Sequence, residues 1–192
     1  MSRRITVVKD QIKGENCSLR RFRTNDSDLV RVLLQIFTEP EVQRFLNREY
    51  TVNDNWPKVK KWLTGKINHP VEVWYSIVHK RRNVGYVCFK WRRHFDGACE
   101  ISTGISKQYR GLKLGFESSR LLVDHIKELN HFRHIVAYVH VKNKKAEANI
   151  RKLGFRKSNR LQKTITKEFY GEPAKNSKDR IYDLYSIPGT VA

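Results

Sequence analysis

The feature that most limits the fold is a change of periodicity between residues 71 and 129. The segments "VEVWYSIVH" and "VGYVCFKW" have the two-residue period of strands, and the turn "KRRN" between them predicts a β-hairpin. A third strand, "ACEISTGIS", follows the turn "HFDG". From Gly111 the spacing becomes helical, and the apolar face of this helix contains Leu114, Leu121, Leu122, His125, Ile126 and Leu129. Three antiparallel strands followed by an amphipathic helix indicate a fold that combines sheet and helix.

The segments on either side extend this pattern. A hairpin is predicted around "KGEN", followed by helices in "TNDSDLVRVLLQIF", "EPEVQRFL" and "NDNWPKVKKWLTGKI". After residue 129 the sequence predicts a strand in "HIVAYVHV", a helix in "NKKAEANIRKLG" and strands in "FRKSNRLQKTITKEF" and "RIYDLYSI". This order predicts the α/β class with a mixed sheet. With 192 residues and no evident linker or repeat, we expect a single domain over residues 1–192.

The charge of the chain is far from balanced. Lys and Arg number 39 against 19 Asp and Glu, which gives a formal net charge of +20. Such a field attracts polyanions, namely nucleic acid, an anionic membrane or phosphorylated small molecules. The alternative is that the surface lysines serve only to keep the protein soluble.

The cysteines and the N-terminus bear on the cellular setting. Cys17, Cys88 and Cys99 lack metal-ligand spacing, and Cys88 and Cys99 lie in apolar runs typical of small buried residues. No signal peptide or membrane-spanning run is evident, so we expect a cytoplasmic protein that does not enter a membrane.

Histidines and tryptophans offer two further hypotheses. The histidines from 125 to 140 have no established ligand spacing, and we therefore expect no metal site. Trp56 and Trp62 could line an acceptor cleft or stack on nucleic-acid bases, whereas Trp74 and Trp91 lie in predicted strands and are expected to pack in the core.

The segment "YRGLKLG" lies between a predicted strand and the start of a helix. Unpaired N–H groups at the helix start, together with glycines, the helix dipole, Arg110 and Lys113, make an anion site suited to phosphate. The spacing is neither that of a nucleotide-hydrolase P-loop nor that of a dinucleotide fingerprint. The alternative is an ordinary loop in which the glycines only turn the chain.

A longer stretch around this loop carries a family resemblance. The segments "EISTGISKQYRGLKLGFESSRLLVDHIKE" and "HIVAYVHVKNKKAEANIRKLGF" resemble the GCN5-related N-acetyltransferase (GNAT) superfamily, in particular its ribosomal-protein and amino-sugar acetyltransferase branch. The resemblance implies the GNAT fold, a mixed and mostly antiparallel central sheet flanked by helices, and acetyl-CoA as cofactor. In the family motif [Q/R]-x-x-G-x-[G/A], Arg110 takes the first position and Gly115 the last, while Lys113 replaces the middle glycine.

The same resemblance implies a set of cofactor-binding residues. Backbone amides near Thr103, Gly104 and Ile105 would polarise the thioester oxygen. Asn143 would orient the cofactor, cap the following helix, or do both. The loop residues that would hold the pyrophosphate are Arg110, Gly111, Leu112, Lys113, Leu114 and Gly115.

Two carboxylates and two tyrosines are the candidate catalytic groups. Glu100 is the candidate general base, acting through water; the alternative is a strand residue paired with a neighbouring Arg or Lys. Asp96 is a weaker alternative base. Relatives carry a Tyr or Ser that serves as the general acid for the leaving thiolate, and the corresponding positions here are Ile150 and Ala146. Tyr182 or Tyr185 would take this role instead, unless the thiolate leaves without a dedicated acid.

The function implied is an acetyl-CoA-dependent N-acetyltransferase with direct attack by a primary amine. The expected acceptor is anionic or carried by an anionic body: a protein N-terminus near RNA, as on a ribosome, or a nucleotide-linked amino sugar. The alternative is a basic protein on a GNAT fold that binds or modifies nucleic acid, based on the charge, "HKRR", "KWRR" and the missing acid. We expect a monomer or homodimer.

Overall fold

The computed structural model describes residues 8–23, 26–45, 56–67, 69–92, 97–159, 161 and 182–190. Its helices are α1 (Ser27–Thr38), α2 (Pro40–Gln43), α3 (Trp56–Ile67), α4 (Leu114–Glu128) and α5 (Lys144–Lys152). Its strands are β1 (Gln11–Lys13), β2 (Ser18–Arg21), β3 (Glu72–His79), β4 (Arg82–Arg92), β5 (Ala98–Ile105), β6 (His134–His140), β7 (Arg156–Lys157) and β8 (Tyr182–Pro188).

The strands form a single mixed sheet in the order β1-β2-β3-β4-β5-β6-β8-β7. The pair β5–β6 is parallel, whereas β1–β2, β2–β3, β6–β8 and β7–β8 are antiparallel. The predicted fold class, a mixed and mostly antiparallel sheet flanked by helices, is therefore confirmed.

The chain divides into two compact units. One comprises Met1–Phe89 and Thr103–Leu122, and the other comprises Lys90–Ser102 and Val123–Ala192. The prediction that all 192 residues act as one domain stays a prediction.

The core of the first unit is formed by α1, α3 and strand side chains. Helix α1 begins after Asp26, whose carboxylate accepts a hydrogen bond from the Leu29 amide at 2.9 Å. The apolar face of α1 is buried in a cluster that includes Leu33 and Phe37 together with Leu63 and Trp74. Burial of such side chains contributes roughly 1.5–3 kcal/mol each.

The hairpin β1–β2 in this unit is held by a buried carboxylate. Glu117 accepts hydrogen bonds from the Asn16 amide at 2.8 Å and the Asn16 side chain at 3.0 Å. Burial acts to raise the pKa of Glu117, but the hydrogen bonds from Asn16 and Cys17 outweigh it and lower that pKa. The neighbouring Cys17 thiol is buried, and burial, assisted by the Glu117 charge, raises its pKa to about 12.

The second unit is organised around β6. This strand pairs antiparallel with β8 over seven positions, from His134↔Pro188 to His140↔Tyr182. Helix α5 begins at its cap Asn143, whose side chain accepts from the Ala146 amide at 3.1 Å, and the chain leaves it through Gly154 at φ +89°. The helix end at Gly154 is as predicted.

Three predicted elements differ in length from the observed ones. The second helix, expected over 39–46, is the short α2, and α4 begins at Leu114 rather than Gly111. The long strand expected over 155–169 is represented by the two residues of β7. Residue 160 and residues 162–169 of that strand, the loop over 170–179 and residues 180–181 of the last strand lie outside the described residues, as do residues 5–7 of the first strand.

Within the described ranges, no helix is both long enough and apolar enough to cross a membrane.

Candidate active site

The loop from Arg110 to Lys113 connects β5 to α4 through a 3-10 turn at Lys107–Tyr109. Gly111 has φ +88° and Lys113 has φ +59°, both in the left-handed region. Glycine adopts this conformation without steric cost, whereas at Lys113 it costs on the order of 1 kcal/mol or more. The substitution of lysine for the family's middle glycine is therefore accommodated with local strain.

The backbone amides of this loop are available to a ligand. The first intrahelical bond of α4 runs from the Glu117 amide to the Lys113 carbonyl at 3.0 Å. In the part of the chain that the structure describes, no group accepts a hydrogen bond from the amides of residues 111–116. Leu112 is 54% exposed and Lys113 is exposed beside it. N–H groups without a protein acceptor at the positive end of a 15-residue helix, beside the exposed Leu112 and Lys113, form a candidate anion site.

Arg110 is engaged away from this anion site. Its guanidinium donates to both carboxylate oxygens of Glu39, at 2.6 and 2.5 Å, and its Nε donates to the Ile105 carbonyl at 3.1 Å. These contacts fix the entry of the loop. In this geometry Arg110 shapes the loop, and a direct contact of its side chain with the cofactor stays a prediction.

The three residues predicted to face the thioester lie at the end of β5. Thr103 Oγ1 is 2.7 Å from Ser119 Oγ in α4. A Cβ on Gly104 would come within 3.1 Å of three Tyr86 ring atoms, and a Cβ on Gly85 would contact the Gly104 carbonyl. Glycine at both positions allows β4 and β5 to approach closely just before the loop.

Glu100 lies on β5 beside a buried ammonium group. Lys90 Nζ is 3.9 Å from Glu100 Oε1, and the two side chains are 4% and 13% exposed. The alternative interpretation of Glu100, a strand carboxylate near a lysine, is therefore compatible with the geometry. A base role is compatible with it as well, because the carboxylate keeps partial solvent access.

The parallel pairing of β5 with β6 is short. It covers Ala98↔His134, Cys99↔Ile135 and Glu100↔Val136. Beyond Val136, β6 continues to His140 and, among the described residues, pairs there with β8 alone. Among the described residues, the ladder between β5 and β6 thus ends at the pair Glu100↔Val136.

The structure does not bring Tyr182 next to Glu100. Tyr182 pairs with His140, four positions along β6 from Val136, and its ring packs edge-on to His140 at a centroid distance of 5.3 Å. Asn143 caps α5, as the capping alternative predicts.

Tyr185 is bound to a carboxylate that sequence reasoning missed. Its hydroxyl donates to Glu147 Oε1 at 2.7 Å, and Glu147 also accepts from Lys144 at 3.1 Å and Arg151 at 3.0 Å. The Tyr185 hydrogen bond, followed by those from Lys144 and Arg151, lowers the pKa of Glu147 to about 2. Burial, and then the bond to Glu147, raises the pKa of Tyr185. A hydroxyl held in this way is poorly suited to protonate a leaving thiolate.

We expect the Tyr185→Phe variant to raise the pKa of Glu147 toward its ordinary 4.5, because the largest cause of its lowering is removed. A carboxylate whose pKa is lower in the folded than in the unfolded state stabilises the fold at pH values above the unfolded-state pKa. That stabilisation is therefore present above about pH 4.5 and is lost as the pH falls toward 2. NMR titration of the Glu147 carboxyl carbon measures the shift. The variant Tyr182→Phe on the same strand serves as control and should leave this titration unchanged.

Histidines, cysteines and tryptophans that the sequence singles out lie in several parts of the fold. His125, Cys88 and Cys99 are buried as predicted, and Trp74 lies in the core of the first unit. Trp91 is half-buried, with its ring centroid 6.0 Å from that of Phe132. Asp96 lies outside the described residues, as does the side chain of Trp56. The described chain contains no group of three or more His, Cys, Asp or Glu placed to hold a metal ion.

The comparison with protein families gives one match. Residues 17–156 match the model of the family described as an acetyltransferase (GNAT) domain. A search of curated protein sequences found no match.

Solved structures share the fold at low sequence identity. RimL, a ribosomal L7/L12 alpha-N-protein acetyltransferase in complex with coenzyme A, has a TM-score of 0.72 and 16% identity, over 94% of this chain and 98% of RimL. RimJ of Mycobacterium smegmatis, in complex with a CoA disulfide, has a TM-score of 0.70 and 17% identity, over 93% and 87%. The microcin C7 self-immunity acetyltransferase MccE, in complex with acetyl-CoA and AMP, has a TM-score of 0.70 and 16% identity, over 91% and 93%.

Proposed function

Because the chain belongs to the GNAT acetyltransferase family and is thus an acetyl-CoA-dependent N-acetyltransferase, we propose that it acetylates a protein N-terminus or a nucleotide-linked amino sugar. The amine attacks the thioester directly, without a covalent acyl-enzyme. Residues 1–192 would act as one catalytic domain in the cytoplasm, either as a monomer or as a homodimer.

The loop before α4 is the observation that carries the proposal. The amides of residues 111–116, which have no protein acceptor among the described residues, and the Lys113 ammonium would hold the pyrophosphate of acetyl-CoA at the positive end of α4. The amides of Thr103, Gly104 and Ile105, at the end of β5, would donate to the thioester oxygen as charge develops on it. The edge of β6 after Val136, beyond its ladder with β5, would pair with the pantetheine amides.

Glu100 is proposed as the general base that takes the amine proton through water. Attack requires a neutral amine, and a positioned carboxylate gives its proton a route to solvent. Lys90 Nζ at 3.9 Å restricts where that carboxylate can lie. Tyr182 remains the proposed acid, since Tyr185 is bound to Glu147; Asn143 would orient the cofactor from its capping position.

The nature of the acceptor is inferred from charge and from the relatives. A net charge of +20 attracts an anionic acceptor, or one presented by an anionic body such as a ribosome or nucleic acid. RimL acts on a ribosomal protein N-terminus, and MccE was solved with a nucleotide beside acetyl-CoA. A polyamine fits poorly, because the same field repels polycations.

Acetylation assays with three amines test the acceptor. We expect a peptide with an acidic N-terminal segment or a uridine-diphosphate amino sugar to be acetylated at least about tenfold faster than spermidine, because electrostatic steering acts on the on-rate. Mass spectrometry identifies the acetylated product. Equal rates for spermidine and the anionic acceptors would contradict the proposed acceptor class, and absence of any acetylated amine would contradict the transfer itself.

A further inference from the structure

A second surface feature lies in the first unit, beside α3. It is a groove of about 460 Å³. None of the candidate cofactor-binding or catalytic residues lines it. The lining residues are Lys58, Lys61, Trp62, Gly65, Lys66 and His69.

The rim of this groove is positively charged. Helix α3 contains four lysines and no acidic residue. The nearby carboxylate of Glu72 is buried, and it binds Lys66 Nζ at 2.8 Å and the Trp74 indole N–H at 2.9 Å. Glu72 therefore balances the charge of Lys66. Lys58 and Lys61 are exposed on the rim.

Trp62 gives the groove a rigid aromatic wall. It is half-buried, and its ring packs edge-on against Phe37 at 5.2 Å and Trp74 at 5.0 Å. Gly65 follows one helical turn later, where a Cβ would meet nothing within 4 Å. The groove thus combines a fixed aromatic surface with unfilled space beside it.

We propose that this groove binds a single-stranded polynucleotide, with one base against Trp62 and the adjoining phosphates beside Lys58 and Lys61. An aromatic platform within a basic groove is the arrangement that binds single strands without regard to sequence. An acidic polypeptide would use the lysines but would gain little from the aromatic wall. The inference is independent of acetyl transfer, because the groove and the loop before α4 share no residue.

The Gly65 position allows a test matched in shape. We expect Gly65→Glu to weaken binding of a fluorescein-labelled 12-nucleotide oligouridylate about tenfold, whereas the isosteric Gly65→Gln weakens it less than about threefold. Both variants should fold, because the Cβ space is open and each residue favours the helix more than glycine does. Fluorescence anisotropy gives the affinities, and thermal melts verify folding.

The lysines are tested through the salt dependence. The double variant Lys58→Gln/Lys61→Gln should lower the slope of log affinity against log salt by about 0.7 for each phosphate that is no longer neutralised. Lys127→Gln/Lys152→Gln, at exposed positions on α4 and α5 in the second unit, removes the same two charges and serves as control for net charge. Oligothymidylate should bind as oligouridylate does, since neither lysines nor an indole face distinguishes the sugars.

Three results would overturn the inference. The first is an affinity for oligouridylate that is equal in the wild type and Gly65→Glu. The second is a salt slope that the double substitution leaves unchanged. The third is that a polyglutamate of the same length binds equally tightly and depends on the variants in the same way. The last result would assign the groove to acidic polypeptides.

Discussion

Gly115→Asp is expected to weaken acetyl-CoA binding at least about a hundredfold. Gly115 is the second residue of α4, among the amides that are available to a ligand. A carboxylate there would face the pyrophosphate, and two like charges about 4 Å apart in a protein site repel by a few kcal/mol. The helix itself should tolerate the change, since an acidic residue in the first turn complements the dipole.

Isothermal titration calorimetry of acetyl-CoA with Gly115→Asp and Gly115→Asn separates charge from shape. Both side chains bring a Cβ to 3.3 Å from Ile105 Cγ1, so both require the same small adjustment. We expect the Asn variant to lose no more than about tenfold in affinity for acetyl-CoA. The difference in affinity between the two variants should shrink at high salt, which screens the charge. Wild-type affinity in Gly115→Asp would remove the basis for a pyrophosphate site at this loop.

Glu100→Gln is expected to lower kcat about 100-fold or more while leaving the KM for acetyl-CoA nearly unchanged. General bases contribute about 10²–10⁴ to rates, and Gln cannot accept the amine proton. Steady-state kinetics with the preferred amine, measured from pH 6 to 9, give both constants. As the pH rises, the deficit should narrow, because a larger fraction of the amine is already neutral.

Because the Lys90 ammonium lies beside Glu100, a second variant separates loss of stability from loss of the base. Removing the Glu100 charge leaves Lys90, which is 3% exposed, without one of its anionic neighbours, and this should lower the Tm. Lys90→Met/Glu100→Gln removes both charges, so we expect it to recover stability but not kcat. Asp124→Asn, at an exposed position on α4, serves as control and should match the wild type. A double variant with wild-type kcat would show that Glu100 is not the base.

Local sequence signals predicted most of the fold. The helical spacing in "TNDSDLVRVLLQIF", the turns "KGEN" and "KRRN", and the glycine after α5 are short-range patterns, and each marks an element or an element boundary that the structure contains. The strand expected over 155–169 shows the limit of such patterns. Among its described residues, Arg156 and Lys157 are extended, whereas Asn159 and Leu161 are helical, so periodicity did not locate the end of β7.

Contacts between distant residues account for what the sequence could not predict about the candidate site. The loop sequence indicated an anion site, but the Arg110 side chain is directed by Glu39, 71 residues earlier. Likewise, Tyr185 was a candidate acid until strand pairing placed it 2.7 Å from Glu147, 38 residues away. The i,i+4 pair of Glu147 and Arg151 was visible in the sequence, but nothing local indicated the tyrosine.

The burial of all three thiols makes the chain convenient for site-specific labelling. Cys17, Cys88 and Cys99 are each 5% exposed or less, and at Cys17 thiolate formation is suppressed up to about pH 12. Maleimide reagents should therefore react selectively with a cysteine introduced at the exposed Leu112. A dye attached there would sit at the loop before α4 and report coenzyme binding as a change in its emission.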